Sequence, residues 1–132
     1  MKYVNPESLV KPHGYNHGVV LPAGAGTSVL FLSGQIGVNP DGKLVGPDFT
    51  AQFERALMNL LDVVWKSGGK PESIGKLTIF VTDTAEYAAH RRTVGEAYRR
   101  RMGKHFPAMT LVEVKALLEP GAKVEIEGMA VV

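Results

Sequence analysis

The chain has 132 residues, of which 45% are apolar and 21% are charged, and it contains no cysteine. This length fits a single domain, residues 1–132, and the apolar fraction is too high for a disordered chain. The lack of cysteine excludes disulfide scaffolds, thiolate nucleophiles and cysteine-based zinc sites, and a reducing cytoplasm is the expected location. The sequence shows no membrane-spanning apolar run and no signal-peptide core, and its net charge of +2 is too small to demand a nucleic-acid partner.

The first third of the sequence predicts short strands separated by turns. Tyr3-Val4 fits a strand at a sheet edge, Val19–Leu21 a second strand, and Ser28–Ile36 a third that suits a pleated surface. The tract Pro22–Gly26 predicts the turn between the second and third strands. Asn39–Gly42 predicts another turn, because proline fixes φ and glycine accepts a positive φ.

The clearest predicted element is an amphipathic helix, which Asp48 or Thr50 caps and which Gly68-Gly69 ends. Its apolar positions recur at helical spacing and predict one buried face. These positions are Phe53, Ala56, Leu57, Leu60, Leu61, Val64 and Trp65. The polar positions predict the opposite, solvent-exposed face: Gln52, Glu54, Arg55, Asn59, Asp62 and Lys66.

The second half of the chain predicts one more helix and three more strands. A central strand is expected over Lys76–Thr82, a helix from about Ala85 to Met102, and strands over Met109–Val114 and Lys123–Val131. The order β-β-β-α-β-α-β-β indicates a two-layer α+β domain, with two helices on one face of a mixed β-sheet. Because several strands carry apolar residues on both faces, we expect the face opposite the helices to contact other subunits.

Few short motifs point to chemistry, and no nucleotide-binding or metalloprotease motif is present. His13 and His17 lie four residues apart in a glycine-containing loop, where solvent-facing histidines are a better interpretation than a metal pair. The run Arg99–Arg101 makes the second helix cationic. A solvated helix face is favoured over an anion or RNA contact, because no aromatic residues interleave with the basic ones. Nucleic acid is therefore not expected to be the main ligand.

Two carboxylates on the last strand are more informative. Glu125 and Glu127 are two residues apart, so their side chains point to the same face. Such a pair can raise the pKa of one member and hold a water as general base. The more ordinary interpretation is an exposed polar face with Lys123 as partner, and the spacing leaves both interpretations open.

Six short segments occur in order along nearly the whole chain: Gly14–His17, Leu32–Ile36, Asp48–Asn59, Lys76–Asp83, Pro107-Ala108 and Val124–Gly128. In residue type, order and spacing they resemble the Rid family of reactive intermediate deaminases. These are the YjgF-like proteins, also described as L-PSP endoribonucleases or translation-initiation inhibitors.

The resemblance implies a chorismate-mutase-like fold that assembles into a homotrimeric barrel, with three clefts between neighbouring subunits. In these clefts the best-known members hydrolyse 2-imino acids, formed from enamines, to 2-keto acids and ammonia. It implies that no metal or organic cofactor takes part. An arginine binds the substrate carboxylate through its planar fork, and a glutamate on the last strand positions the attacking water. The expected ligand is a small carboxylate or imine.

The family's site residues carry over one by one. Tyr15 matches the cleft tyrosine, Gly34 the glycine whose backbone lines the site, and Glu125 the water-positioning glutamate. The arginine that follows Pro-Ala in the family is Met109 in this chain. Leu111 occupies a position where the family often has cysteine.

Met109 is the main departure from the family pattern. Its side chain cannot pair with a carboxylate, and losing a charge-assisted bidentate contact weakens binding by ~10²-fold or more. Arg91, at a position in the second helix where asparagine is common, is the candidate to supply the missing charge. The first hypothesis is an imine deaminase with an altered or weak substrate range. The alternatives are a trimer that binds a metabolite without turnover, and an endoribonuclease or translation inhibitor.

Overall fold

The computed structural model describes all 132 residues. Its strands are β1 (Lys2–Val4), β2 (Gly18–Gly24), β3 (Thr27–Ile36), β4 (Ile74–Val81), β5 (Ala108–Glu113) and β6 (Val124–Val131). Its helices are α1 (Phe49–Lys66), α2 (Thr84–Ala89) and α3 (Arg91–Met102), and a short 3₁₀ helix covers Pro71–Ser73. None of the helices is both long and apolar enough to cross a membrane.

The six strands form one mixed sheet in the order β1-β2-β3-β6-β4-β5. Neighbouring strands are antiparallel except β4 and β5, which are parallel because the chain crosses between them through α2 and α3. Helix α1 packs on β3 and β6, and α3 packs on α1, so the helical layer covers one face of the sheet. The predicted α+β architecture is therefore confirmed.

Helix α1 lies at the centre of the hydrophobic core. The carboxylate of Asp48 accepts a hydrogen bond from the N–H of Ala51 at 2.9 Å and caps the helix as predicted. After the helix ends, Gly68 adopts a φ of +87°, a value that strains residues with a Cβ. The apolar face of α1 forms one cluster with alternate strand residues such as Leu77 and Ile126, as the alternation predicts.

The expectation that Gln52 is solvent-exposed is wrong, because Gln52 is completely buried. Its Nε2 donates to the carbonyl oxygens of Gly46, at 2.8 Å, and Gly121, at 3.1 Å. Its Oε1 accepts a hydrogen bond from the N–H of Lys123 at 2.9 Å. The side chain is thus buried because it satisfies the backbone of two loops that are distant in sequence.

Two other residues of α1 also lie on the side opposite to the prediction. Asn59 is buried, because its Nδ2 donates to the carbonyl oxygens of Ile36 and Val38. Trp65 is 51% exposed, whereas Val63 and Val64 in the same turn are fully buried. The buried face at the end of this helix therefore runs through Val63 and Val64 and leaves Trp65 outside.

Two predicted boundaries also differ from the structure. The expected helix Ala85–Met102 is divided at His90, whose φ of −104° and ψ of 13° interrupt the helical path between α2 and α3. Residues Pro22–Gly24 belong to β2 and not to a turn. Proline is tolerated there because β1 pairs only as far as Val20, which leaves Pro22 without a neighbour on that side.

The sheet face away from the helices carries exposed apolar side chains and is named here the open face. Register places Tyr3, Val19, Phe31 and Met129 in one row across β1, β2, β3 and β6. Phe31 and Met129 are each 43% exposed. An apolar surface of this kind is typical of a face that another protein surface covers.

Candidate functional site

An irregularity in β3 creates a pocket at the open face. The pairing between β3 and β6 shifts register between Leu32 and Gln35, so that the intervening residues bulge from the ladder. The bulge lies beside Glu125 of β6 and forms part of a pocket of about 400 Å³, named here the Glu125 pocket. It is lined by Tyr15, Ser33, Gly34, Ile36, Leu117, Leu118, Glu119 and Glu125.

Gly34 in the bulge lies directly against the carboxylate of Glu125. A Cβ added to Gly34 would overlap Oε1 of Glu125 and lie 2.9 Å from its Cδ, so the Glu125 side chain would have to move. Since the φ of Gly34 is not in the left-handed region, glycine supplies space here and not an unusual backbone conformation. Glycine thus allows the carboxylate to lie directly against the bulged backbone.

The environment of Glu125 favours its protonated form. Burial raises the pKa of Glu125 above its ordinary value of 4.5, and the negative charge of Glu127 raises it further. The partner expected for these two glutamates is engaged elsewhere, because Nζ of Lys123 binds Oε2 of Glu86 at 2.8 Å. The interpretation with Lys123 as their partner is therefore wrong. A carboxylate of raised pKa is a better acceptor for a proton from water.

Tyr15 is held in place by a buried histidine. His17 is 1% exposed, so its interpretation as a solvent-facing residue is wrong. Its Nε2 lies 2.7 Å from the carbonyl oxygen of Val10, and its Nδ1 lies 2.9 Å from Nε2 of Gln35. Since the carbonyl only accepts, Nε2 carries the proton and Nδ1 accepts from the amide. The ring of Tyr15 packs edge-on against His17, with centroids 5.4 Å apart.

The contacts of His17 with Gln35 and Tyr15 are not predicted from the sequence, which treats His17 only as a loop histidine and does not single out Gln35. Both lie in segments that resemble the family, Gly14–His17 and Leu32–Ile36, and this was the signal that they matter. With both ring nitrogens engaged, His17 is not available to share a metal ion with His13. The chain contains no group of three or more histidine, aspartate or glutamate side chains arranged to hold a metal ion.

A second pocket, of about 250 Å³, lies between α3 and β5 and is named here the arginine pocket. Met109 of β5 and Arg91 of α3 both line it, together with a second arginine, Arg99. The other lining residues are Phe53, Ile79, Tyr87, Val94, Gly95, Tyr98 and Phe106. The structure thus brings Arg91 to the same pocket as Met109.

The six residues predicted for one site form two groups in a single chain. Tyr15, Gly34 and Glu125 line the Glu125 pocket, Met109 and Arg91 line the arginine pocket, and Leu111 packs against the core beside Met109.

Strand register explains why the two groups are separate. Met109 is paired with the buried Leu77, so it belongs to the helix-covered face. Glu125 is paired with Phe80 on the open face. A single cleft that contains both groups therefore requires a second copy of the chain.

The basic run of α3 is divided between ion pairs and free cations. Oε2 of Glu54 lies 3.1 Å from Nε of Arg100 and 3.3 Å from Nε of Arg101. The hydrogen bond from Arg100 holds the pKa of Glu54 below its ordinary value. By contrast, Arg91 and Arg99 take part in none of the salt bridges. The unpaired positive charge of α3 thus includes both arginines of the arginine pocket.

Comparisons with known proteins agree with this architecture. Residues 7–132 match the family model described as Endoribonuclease L-PSP. A 2-iminobutanoate/2-iminopropanoate deaminase of Salmonella typhimurium is 38% identical over 104 residues, which cover 79% of this chain and 80% of that protein. Protein DfrA of Myxococcus xanthus is 39% identical over 132 residues, covering 98% of this chain and 95% of that protein.

Solved structures show the same fold. The YjgF gene product of Escherichia coli is 34% identical, with a TM-score of 0.84 over 99% of this chain and 98% of that chain. The structure of Escherichia coli TdcF with bound serine is 27% identical, with a TM-score of 0.82 over 100% of this chain and 99% of that chain.

The six-stranded mixed sheet with helices on one face is a YjgF-like α+β fold. The family model covers all but the first six residues, and relatives share more than a third of the aligned positions. The chain therefore belongs to the endoribonuclease L-PSP family, the Rid or YjgF family, as the resemblance predicts.

Proposed function

We propose that this protein is a cofactor-independent hydrolase that converts 2-imino acids to 2-keto acids and ammonia. The observation that carries the proposal is the Glu125 pocket, in which a carboxylate of raised pKa lies against the bulged backbone at Gly34. The relatives named 2-iminobutanoate/2-iminopropanoate deaminase support the same reaction class.

In the proposed reaction, Glu125 accepts a proton from a water molecule as the water oxygen attacks the imine carbon, and passes this proton to the imine nitrogen. The carbon becomes tetrahedral and carries one hydroxyl and one amino group. Glu125 then takes the hydroxyl proton and transfers it to the amino nitrogen, so that the carbonyl forms as the carbon–nitrogen bond breaks and ammonia leaves. One water is consumed and one ammonia is released, so the reaction needs no oxidant or reductant.

The proposed active site is completed by a second copy of the chain. Glu125 and Met109 lie on opposite faces of one sheet, so one copy would supply the Glu125 pocket and its neighbour the arginine pocket. The exposed apolar residues of the open face support an assembly of copies. The proposed assembly is the homotrimer that the family resemblance implies, with a small carboxylate or imine ligand between subunits.

The proposed activity on the smallest imino acids is weak. Met109 offers no charged group where the resemblance places a carboxylate-binding arginine. Unless another group makes an equivalent charge-assisted contact with the substrate carboxylate, the binding energy of that contact is lost. We therefore propose that Met109 gives this protein an altered substrate range.

Steady-state kinetics on 2-iminopropanoate and 2-iminobutanoate test the proposed function. The imino acids are generated in the cuvette by an amino acid oxidase, and formation of the keto acid is followed. We expect wild-type turnover above the uncatalysed rate and a loss of ~10²-fold or more for Glu125→Gln, which cannot accept the proton. Glu127→Gln, on the same strand face, is the control and should retain activity within roughly threefold.

Two outcomes would contradict the proposal. If Glu125→Gln remained as active as the wild type, Glu125 would not be the base. If the folded wild type left the uncatalysed rate unchanged on every imino acid tested, the protein would bind metabolites without turnover.

A further inference from the structure

Helix α3 directs an unusual row of residues at the arginine pocket. Arg91, Gly95 and Arg99 are spaced four residues apart and therefore share one helix face. All three line the pocket. Glycine is a poor residue for the interior of a helix, and the φ of Gly95 is not in the left-handed region. Its backbone conformation therefore does not explain why glycine stands there.

The space above Gly95 is occupied by a guanidinium. A Cβ added at Gly95 would lie 3.3 Å from Nη1 of Arg99. Gly95 therefore leaves room for the guanidinium of Arg99 to lie against the preceding turn of the helix. Arg91 and Arg99 both line the pocket, one helical turn on either side of Gly95.

Neither of these two arginines has a carboxylate partner. The neighbouring Arg100 and Arg101 both bind Glu54, but Arg91 and Arg99 are in no salt bridge. The lining of the pocket contains no acidic residue. Two unneutralised positive charges at one cavity attract an anion, and the planar fork of arginine suits a carboxylate.

The rest of the arginine pocket is apolar. Seven of its ten lining residues are hydrophobic, and they include Phe53, Phe106 and Met109. Its volume of about 250 Å³ is below the roughly 300–1,000 Å³ of pockets for drug-sized ligands. The occupant that fits both the charges and the surface is therefore a small acid with a bulky hydrocarbon tail.

We propose that the arginine pocket selects carboxylates with a branched aliphatic or aromatic side chain. Arg91 and Arg99 bind the carboxylate on either side of Gly95, and the tail packs against Met109 and the aromatic rings. The inference rests on the proposed function where it identifies the bound acid as a 2-imino or 2-keto acid. It adds Arg99 and Gly95 as specificity-determining residues and names the substrate class.

Calorimetric titration with two stable keto acids tests the inference. We expect 4-methyl-2-oxopentanoate to bind the wild type at least tenfold more tightly than pyruvate, because pyruvate has no tail to bury. Arg99→Gln and Arg91→Gln should each weaken binding of 4-methyl-2-oxopentanoate by roughly tenfold or more. Arg92→Gln, the same change at an exposed α3 residue outside the pocket, is the control and should bind as the wild type does.

Gly95→Ala provides a second variant whose outcome does not depend on loss of folding. Alanine favours the helix, so the melting temperature should rise by a few degrees. The new methyl group moves the guanidinium of Arg99 by a few tenths of an ångström, so binding of 4-methyl-2-oxopentanoate should fall, but by less than it does on Arg99→Gln. If Gly95 had only a structural role, Gly95→Ala would not raise the melting temperature and weaken binding at the same time.

The result that would overturn the inference is equal affinity of wild type, Arg99→Gln and Arg91→Gln for 4-methyl-2-oxopentanoate, or equal affinity of the wild type for both acids. Imine hydrolysis, measured on the same preparations, separates this inference from the proposed function. If the protein hydrolyses imines but its binding of 4-methyl-2-oxopentanoate does not depend on Arg91 and Arg99, only the inference is contradicted. If binding depends on these arginines but no imine is hydrolysed, the proposed function is contradicted and the pocket remains a binding site for apolar carboxylates.

Discussion

A single chain buries the side chains of the helix-covered face of the sheet more completely than those of the open face. On the helix-covered face even the polar residues Gln52 and Asn59 are buried, and their amides are hydrogen-bonded to backbone. On the open face Phe31 and Met129 remain 43% exposed, although they occupy the middle of the sheet. Over β3, β4 and β6 the covered face is thus complete within one chain, whereas the open face has apolar surface in the middle of the sheet that one chain does not cover.

The same comparison applies to the two pockets. The arginine pocket on the covered face is apolar with two free cations, and the Glu125 pocket on the open face has a carboxylate and an exposed backbone bulge. Under the proposed function, each pocket supplies part of what imine hydrolysis of an acid requires: a carboxylate-binding group or a base for water. Neither pocket contains both, which is why the proposed active site joins them between copies.

The largest expected effect on stability is at the covered face, with Gln52→Leu. The leucine leaves the carbonyl oxygens of Gly46 and Gly121 and the N–H of Lys123 without their partner. We expect the free energy of unfolding to fall by about 2–4 kcal/mol, measured by urea denaturation. Lys66→Leu, at an exposed position of the same helix, should change it by less than about 0.5 kcal/mol. A stability equal to wild type for Gln52→Leu would mean that water replaces the lost hydrogen bonds.

Met109→Arg adds to the arginine pocket the guanidinium that the family resemblance places at this position. It therefore tests whether this pocket lacks a group that binds the carboxylate of small substrates. We expect kcat/KM for 2-iminopropanoate to rise by up to ~10²-fold, because one charge-assisted contact with the substrate carboxylate is gained. Combining Met109→Arg with Glu125→Gln should abolish the gain. Ala89→Arg, at an exposed position of α2 outside both pockets, is the control and should not raise kcat/KM.

Failure of that prediction would be informative, provided that the variant is folded. An already high wild-type kcat/KM for 2-iminopropanoate, lost on Arg91→Ala, would show that α3 supplies the charge for small acids as well. The interpretation of Met109 as the cause of a weak activity would then be wrong.

Phe31→Lys tests whether the open face is covered by other copies. Sedimentation at micromolar concentration should give one species near three chains for the wild type and a lighter species for the variant, because a charge would be buried in the interface. The far-UV circular dichroism spectrum should be unchanged, since Phe31 is not part of the hydrophobic core. Thr27→Lys, at the exposed end of the same strand, should assemble as the wild type does. A monomeric wild type would contradict the assembly outright.

The smallest expected effect concerns the pH dependence of stability at Glu125. Its pKa is raised in the folded state, so the folded protein binds the proton more tightly than the unfolded chain does. The ionised carboxylate therefore destabilises the fold above its raised pKa, and this penalty disappears as the pH falls towards 4.5 and below. Glu125→Gln should melt slightly higher than wild type at pH 8 and equally at pH 4. A lower melting temperature at pH 8 would mean that the ionised carboxylate stabilises the fold.

Much of the fold could be predicted from local patterns. Alternation predicts Leu77, Ile79 and Val81 on the buried face, and helical spacing with an Asp48 cap locates α1. The helical pattern predicts the wrong face for Gln52 because one of its partners, Gly121, is 69 residues away in sequence. Burial of a polar side chain depends on such distant backbone groups, which the helical pattern does not contain.

The candidate site was predictable only in part. The family resemblance identified Glu125, Gly34 and Tyr15, and these three do line one pocket. Their separation from Met109 follows from the parallel pairing of β5 with β4 and from strand order, which the linear pattern does not fix. The basic run does not distinguish Arg99, which lines the arginine pocket, from Arg100 and Arg101, which pair with Glu54, because the pairing depends on a residue of another helix.

Complementation between two inactive variants tests most directly whether the two pockets of different copies form one active site. Glu125→Gln removes the base, and Met109→Asp places a repelling carboxylate in the arginine pocket. After unfolding and refolding together in equal amounts, sites that combine the intact pocket of each variant should recover about a quarter of the wild-type activity on 4-methyl-2-iminopentanoate. No recovery, from a mixture whose components fold and assemble, would contradict the shared site.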